Sequence, residues 1–202
     1  VQDWNSRGHF FGAAAEANRP TLDVVVFSDF ECPSCQRFAS FLEEQAQPLF
    51  EGRLKTVFKH YPLDHACNER VSPTVHPHAC AAMSMAEAAR LLRGTPAFWQ
   101  AHDYLYKHRD TLAQGKLTPD ALAAELHLEP AAFREAMTSQ AVSTRLAEDI
   151  EQAKLCGIKG TPAVFVEGRL VDTLAVTEVG FGTSWPMCTG SASKFRARHR
   201  RR

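Results

Sequence analysis

Cys32 and Cys35 stand one helical turn apart, with Pro33 and Ser34 between them. Two thiols at that spacing can close a structural disulfide, supply half of a zinc site, or exchange disulfides with another molecule. Their surroundings favour exchange. Val24-Val25-Val26-Phe27 is a short, apolar, β-branched run leading up to the pair, and it predicts a buried strand. Beyond the pair, Phe38, Phe41, Leu42 and Leu49 recur at helical spacing, with Arg37, Glu43 and Glu44 among them. The cysteines therefore sit where a strand ends and a helix begins. The first turn of a helix has unpaired N–H groups and the positive end of the helix dipole, so it stabilises an anion. A Cys32 thiolate is such an anion, and its pKa is expected to fall. Pro33 suits this turn, where its missing N–H costs nothing. Cys32 is expected to be exposed, and Cys35, one turn inside, to be buried and close enough to bridge to it. Asp29 and Glu31 either act on the proton traffic of the pair or simply cap and face water; neither is assigned a catalytic role.

The rest of the chain bounds what this pair can serve. At 202 residues it can bury one good core, with or without an inserted subdomain. A hydrophobic content of 45% and a formal net charge of zero suggest neither nucleic acid nor a membrane surface as partner of the body of the protein. No apolar run approaches the ~18 residues that span a bilayer. There is no cleavable secretory segment, and the start at Val1 is expected to mark a mature or excised fragment. The six cysteines are Cys32, Cys35, Cys67, Cys80, Cys156 and Cys188. An even number, four of them outside the pair, favours an oxidising compartment.

The elements that must position the pair follow in order. Residues 1–20 read as a lead-in arm, with Trp4, Phe10 and Phe11 scattered along it. Arg53 to Tyr61 is a second strand, which would complete a strand–helix–strand unit with parallel strands and a right-handed crossover. Pro62 to Pro77 reads as a loop. A helix from about His78 stops at Gly94, and Thr95-Pro96 restarts one. Thr118-Pro119 and Glu129-Pro130 open two more, and Ser139 or Ser143 a fifth, with Val142, Leu146, Ile150 and Ala153 on one face. Val164 to Val166 and Arg169 to Val171 then form a hairpin turning at Glu167-Gly168. Pro162 stands just ahead of a strand, where a proline is also tolerated on structural grounds alone.

Phe27 to Cys35, a helical insertion, then Gly-Thr-Pro-Ala-Val-Phe-Val-Glu-Gly at Gly160–Gly168 together resemble the DsbA-like thiol:disulfide oxidoreductases of the thioredoxin fold. Domains of this kind fused to vitamin K epoxide reductase homologues are included in the resemblance, which runs from about Val24 to Val171. It implies an α/β thioredoxin fold with a helical insertion between the strand–helix–strand half and the C-terminal β-hairpin. The expected divisions are an arm (1–20), a first half (21–63), a loop and helical insertion (64–157), a second half (158–172) and a tail (173–202). It implies Cys32 and Cys35 as the catalytic pair, with Pro33, Ser34, Thr161 and Pro162 at the substrate site and the Thr161–Pro162 bond cis. No cofactor or metal is implied beyond the cysteine pair. The partners implied are proteins carrying thiols or disulfides, and a membrane redox partner that recycles the pair, such as one of the vitamin K epoxide reductase type. The location implied is periplasmic or otherwise extracytoplasmic, with a membrane tether in a longer chain as one form of it. The absence of an evident dimerisation segment points to a monomer.

By the same resemblance, Cys67 and Cys80 look like a second, structural disulfide, worth about 3 kcal/mol for a loop of this length. A zinc site from Cys67, Cys80, His76 and His78, or a relay pair recharging Cys32–Cys35, are the alternatives. Cys156 and Cys188 fall outside the family pattern: they form a third disulfide or remain two free thiols. The chain also departs from the family after the hairpin, where residues 172–190 show no helical stripe. The basic end, Lys194 to Arg202, is either a solvated terminus or a contact for anionic lipid. The Pro33-Ser34 dipeptide lacks the histidine of the family's strongest oxidants. A potential between that of thioredoxin, about −270 mV, and that of DsbA, about −120 mV, is therefore expected. An oxidase is favoured over a reductase or isomerase. The rival classes are a disulfide-stapled or zinc-bound binding module without catalysis and, with only Thr161 and Arg169 to support it, a thiol peroxidase.

Overall fold

A computed structural model describes residues 6–7, 22–51 and 53–173. The rest of the N-terminal arm, Cys188 and the basic end lie outside the described residues. The strands are β1 (Ser6–Arg7), β2 (Leu22–Ser28), β3 (Leu54–His60), β4 (Ala163–Val166) and β5 (Arg169–Val171). They form one sheet in the order β1-β3-β2-β4-β5. β2 runs parallel to β3, with Val26 opposite Phe58, and antiparallel to β4, with Val26 opposite Val164. This central place is why β2 reads as an unbroken apolar run: both its faces are covered. Val24 and Val26 pack with Phe38, Phe41 and Leu42, while Phe27 packs on the other face with Tyr61, Ala153 and Ile158. The expected lead-in arm supplies β1, paired antiparallel to the outer edge of β3. The hairpin turns at Glu167 and Gly168, both at positive φ (49° and 75°), which matches the twist of the flanking strands.

Helix α1 (Pro33–Phe41) crosses from β2 toward β3. It continues through a π-helical turn, Leu42–Ala46, into a last α-turn, α2 (Gln47–Leu49). The wide turn corrects the single helical stripe predicted from sequence. Pro48 has no N–H to continue the α-pattern, and Gln47 N–H bonds back to Leu42 O instead. The extra residue rotates Leu49 off the core face, leaving it 65% exposed.

The insertion is helical. It comprises α3 (Ala79–Lys107), α4 (Arg109–Ala113), α5 (Pro119–Glu125), α6 (Pro130–Met137) and α7 (Gln140–Leu155). α3 leaves helical geometry at Gly94 (φ 78°, ψ −173°), where the sequence predicts a stop, and resumes through Pro96. The helix α4 was not expected. Thr118, Glu129 and Ser139 cap α5, α6 and α7 by accepting backbone N–H groups. Two buried charge clusters fix the insertion to β3. Asp149 of α7 takes Lys59 Nζ at 2.9 Å, His60 N–H at 3.0 Å and Arg145 at 2.6 Å. Glu87 of α3 meets His60 at 2.8 Å and Arg90 beside it. Burial pushes the Glu87 carboxyl up, but the His60 and Arg90 contacts outweigh it and hold it down to about 2. Pairing offsets part of the desolvation cost that an isolated buried charge would carry in full.

Candidate active site

Phe30 fixes the end of β2. It is fully buried, stacked on Phe58 at 5.0 Å between ring centres and in contact with His102 and Tyr106 of α3. The turn that follows is closed by a Cys32 N–H donating to Asp29 O at 3.2 Å. Cys32 precedes the first residue of α1, with extended backbone (φ −74°, ψ 119°) and no side-chain cap. Pro33 is exposed, Ser34 half-buried and Cys35 buried. Both cysteines are thiols here, so the pair is in its reduced form.

Cys32 departs from the expectation that it is exposed: it is 6% exposed. The loop before β4 lies against it, and its Sγ is 3.6 Å from Thr161 O. The Thr161–Pro162 peptide is cis, as is Ser72–Pro73. Two anchors carry this loop to the sulfur. Tyr61 OH donates to Ile158 O at 3.2 Å, and β4 pairs with β2 from Phe27 opposite Ala163 onward. Thr161 and Pro162 are thus brought to the cysteines from 129 residues away in sequence.

The two thiols differ in acidity. A hydrogen bond from the Cys35 thiol is the main cause that pulls Cys32 down to about 6, against the opposing effect of its burial. The Cys35 N–H, the Thr161 side chain and the Ser34 N–H add to the fall. Burial above all pushes Cys35 well above the ordinary thiol range, and its bond to Cys32 adds to this. One sulfur is therefore set up as an anion and the other as its proton-bearing neighbour.

Several residues around the pair had no functional reading in the sequence. Ser28, beside Cys35, shares a 2.7 Å hydrogen bond with Tyr106 OH. Tyr106 O accepts from Gln36 Nε2 at 2.7 Å, and Arg109 reaches Gln36 Oε1 at 3.1 Å and Glu31 O at 3.4 Å. Nothing in the sequence singles out Tyr106 beyond its place in the helix that Thr95-Pro96 opens. Asp29 and Glu31 do not face water as one of their readings had it: they are 0% and 4% exposed. Their carboxylates hold the loop after β3, through His76 and through the His78 N–H.

Cys67 and Cys80 form a disulfide, with Cα atoms 6.0 Å apart. Their sulfurs bond to each other, so they are not zinc ligands in this structure. Among the described residues no group of three His, Cys, Asp or Glu side chains is arranged to hold a metal. Cys156 carries a free, half-buried thiol; Cys188, its suggested partner, lies outside the described residues. A groove of about 370 Å³ runs beside the pair, lined by Ser34, Gln36, Arg37, Phe38 and Pro162. A smaller cavity of about 130 Å³ lies behind Cys35, under Ser28, Trp99, His102 and Tyr106. No described helix is long and apolar enough to cross a membrane.

Comparison with known proteins bears on this arrangement. The model of the thioredoxin family matches residues 16–179. The chain is 36% identical over 151 residues to Na(+)/H(+) antiporter NhaA 1 of Salinispora arenicola, covering 73% of this chain and 20% of that protein. It is 35% identical over 148 residues to Na(+)/H(+) antiporter NhaA 3 of Salinispora tropica, with the same coverage. The chain thus spans about one-fifth of the length of these relatives. Among solved structures, BdbD from Bacillus subtilis matches with a TM-score of 0.62 and 20% identity, over 85% of each chain. DsbA2 of Pseudomonas aeruginosa matches with a TM-score of 0.58 and 20% identity, over 78% of this chain and 86% of that one. At such identities the likeness to the solved structures is one of fold.

Proposed function

The chain belongs to the thioredoxin family, and from that premise we propose that it is a thiol-disulfide oxidoreductase, acting on protein substrates through Cys32 and Cys35 as a disulfide oxidase. The observation that carries this reading is the placement of the pair: Cys32 stands at the start of α1, Cys35 is buried one turn behind it, and Thr161 O lies 3.6 Å from the Cys32 sulfur. These surroundings draw the Cys32 thiol down to about 6 and push Cys35 up. A stabilised thiolate stabilises the reduced pair, which makes the oxidised pair a better disulfide donor. A substrate thiolate attacks Cys32 Sγ of the oxidised protein. The S–S bond breaks, and Cys35 leaves with the electron pair and takes up a proton. A second substrate thiolate attacks the substrate sulfur of the mixed disulfide, and Cys32 leaves as a thiolate. The substrate loses two electrons and the pair gains them, so no further cofactor is required. Cys35 holds its proton strongly, which suits a sulfur that must stay quiet while Cys32 carries the substrate.

Thr161 and Pro162 are assigned to the substrate site, with Pro33 and Ser34 as the exposed lip of the groove. An extended substrate segment would lie along that groove, its cysteine reaching Cys32 past the Thr161–Pro162 loop. Recycling is assigned to a membrane redox partner, of the vitamin K epoxide reductase type as one form, in an extracytoplasmic compartment where the Cys67–Cys80 disulfide also persists. Trapping tests the reading. Cys35→Ala is first loaded with oxidised glutathione as a Cys32–glutathione mixed disulfide. It should then release glutathione and accumulate a mixed disulfide with a reduced, unfolded substrate carrying one cysteine, seen by intact mass, and Cys32→Ala treated in the same way should not. Accumulation through Cys35 in the Cys32→Ala protein, or in neither, overturns it.

A further inference from the structure

The exchange reading leaves the Asp29–His76 pair beside the reactive turn unused. Asp29, three residues before Cys32, is wholly buried, and its carboxylate is fully engaged. Oδ1 accepts the Glu31 N–H at 2.8 Å, while Oδ2 accepts the Leu63 N–H at 2.8 Å and meets His76 Nδ1 at 2.9 Å. Its own carbonyl takes the Cys32 N–H. One carboxylate therefore organises the turn that presents the reactive sulfur, and it sets a negative charge in the same turn as the developing thiolate. Like charges in a buried site disfavour each other.

We propose that His76 is a positioning residue for the exchange reaction: its imidazolium balances the buried Asp29 carboxylate, so that the turn can be built on that carboxylate without penalising the Cys32 thiolate. This rests on the exchange reading of Cys32. His76 is delivered by a loop made for precision. The Val75 and His76 N–H groups both bond to Leu63 O, at 2.9 and 3.0 Å, and the Cys67–Cys80 disulfide brackets the segment. The imidazole is only 16% exposed, so water does not screen it fully. The hydrogen bond to Asp29 is the main cause that raises its pKa, against its partial burial, and the charges of Asp29, Cys32 and Glu31 raise it further. The attraction between imidazolium and thiolate is mutual: what favours the charged histidine favours the charged sulfur.

The other charged groups in the cluster do not replace it. Burial, the largest influence on Glu31, pushes its pKa up, and its carboxylate is spent on the His78 N–H. Arg109 approaches from α4 and meets the Glu31 carbonyl oxygen. His76 is the basic side chain placed directly on Asp29.

The test uses the full chain in reduced form. The Cys32 thiolate is followed by its ultraviolet absorbance and by alkylation rate across pH, with circular dichroism as a check of folding. His76→Asn keeps a hydrogen-bonding side chain but removes the cation. It should show roughly fivefold less thiolate than wild type at pH 6. His76→Lys should retain most of the wild-type fraction, and the double variant Asp29→Asn/His76→Asn should recover most of it, since neither charge then remains. A wild-type thiolate fraction in His76→Asn overturns the proposal, as does a loss in His76→Lys as large as in His76→Asn. If instead the wild-type pair fails to titrate reversibly against glutathione, the exchange reading has failed rather than the role of His76.

Discussion

The Tyr106 hydroxyl lies 2.7 Å from Ser28 Oγ, so the helical insertion reaches the last residue of the central strand, beside Cys35, through one buried hydrogen bond. Burial pushes the Tyr106 phenol well above its ordinary range, so it stays a neutral partner at any working pH. Tyr106→Phe removes this bond and is expected to cost about 1–2 kcal/mol, because Ser28 is left buried with a weaker set of partners. Urea unfolding checks the value. The double variant with Ser28→Ala should cost less than the two singles added together, as for any pair in direct contact.

The acidity of Cys32 makes the stability of the reduced protein depend on pH. Its folded pKa, about 6, lies below its ordinary value of 9.0. The stabilisation is therefore fully present above the unfolded value and is lost as pH falls through the folded one. The reduced form should lose roughly 3 kcal/mol between pH 9 and pH 6 relative to the oxidised form, in which neither sulfur titrates. Denaturant midpoints of the two forms, compared across that range, check the sign. A gap that widens in the other direction contradicts a stabilised thiolate.

The Cys67–Cys80 disulfide closes a loop whose ends are 13 positions apart. Replacing both cysteines by Ala should lower stability by about 3 kcal/mol, while Cys32–Cys35 still cycles between dithiol and disulfide. Thermal unfolding and intact mass after glutathione equilibration separate the two effects. Loss of cycling with stability unchanged would instead favour the relay reading of this second pair.

Phe30 stacks on Phe58 with no surface exposed, at the point where β2 hands over to the cysteines. Phe30→Ala should cost about 3–5 kcal/mol, because the cavity is walled by rigid rings that cannot collapse into it. Thermal melting of the purified variant measures the cost.

Much of this architecture was written in local patterns. The Val24–Phe27 run, the cysteines at a helix start, the Pro119 and Pro130 helix openings and the Glu167-Gly168 turn each depend on near neighbours, so sequence alone placed them. The α1 stripe failed at Leu49 because a π-turn before Pro48 changes the helical phase, and periodicity assumes that the phase is constant. Exposure of Cys32 was misjudged for a different reason. Its cover, Thr161, arrives from the far end of the chain, and a local pattern carries no trace of what folds over it. The pairs Ser28–Tyr106 and Asp29–His76 were invisible on the same ground: each joins residues from separate elements, and no spacing rule links them. The family resemblance reached Cys67–Cys80 and Thr161–Pro162, which residue patterns alone left open.

The equilibrium reduction potential of Cys32–Cys35 tests the central claim most directly. It is measured by equilibrating the full chain in glutathione buffers, trapping the thiols by alkylation and counting adducts by intact mass. A single reversible two-electron transition is predicted, above the roughly −270 mV of thioredoxin and below the roughly −120 mV of DsbA. A potential at or below that of thioredoxin would make the protein a reductase. Failure of the two cysteines to titrate together as a reversible pair would contradict the exchange reaction itself.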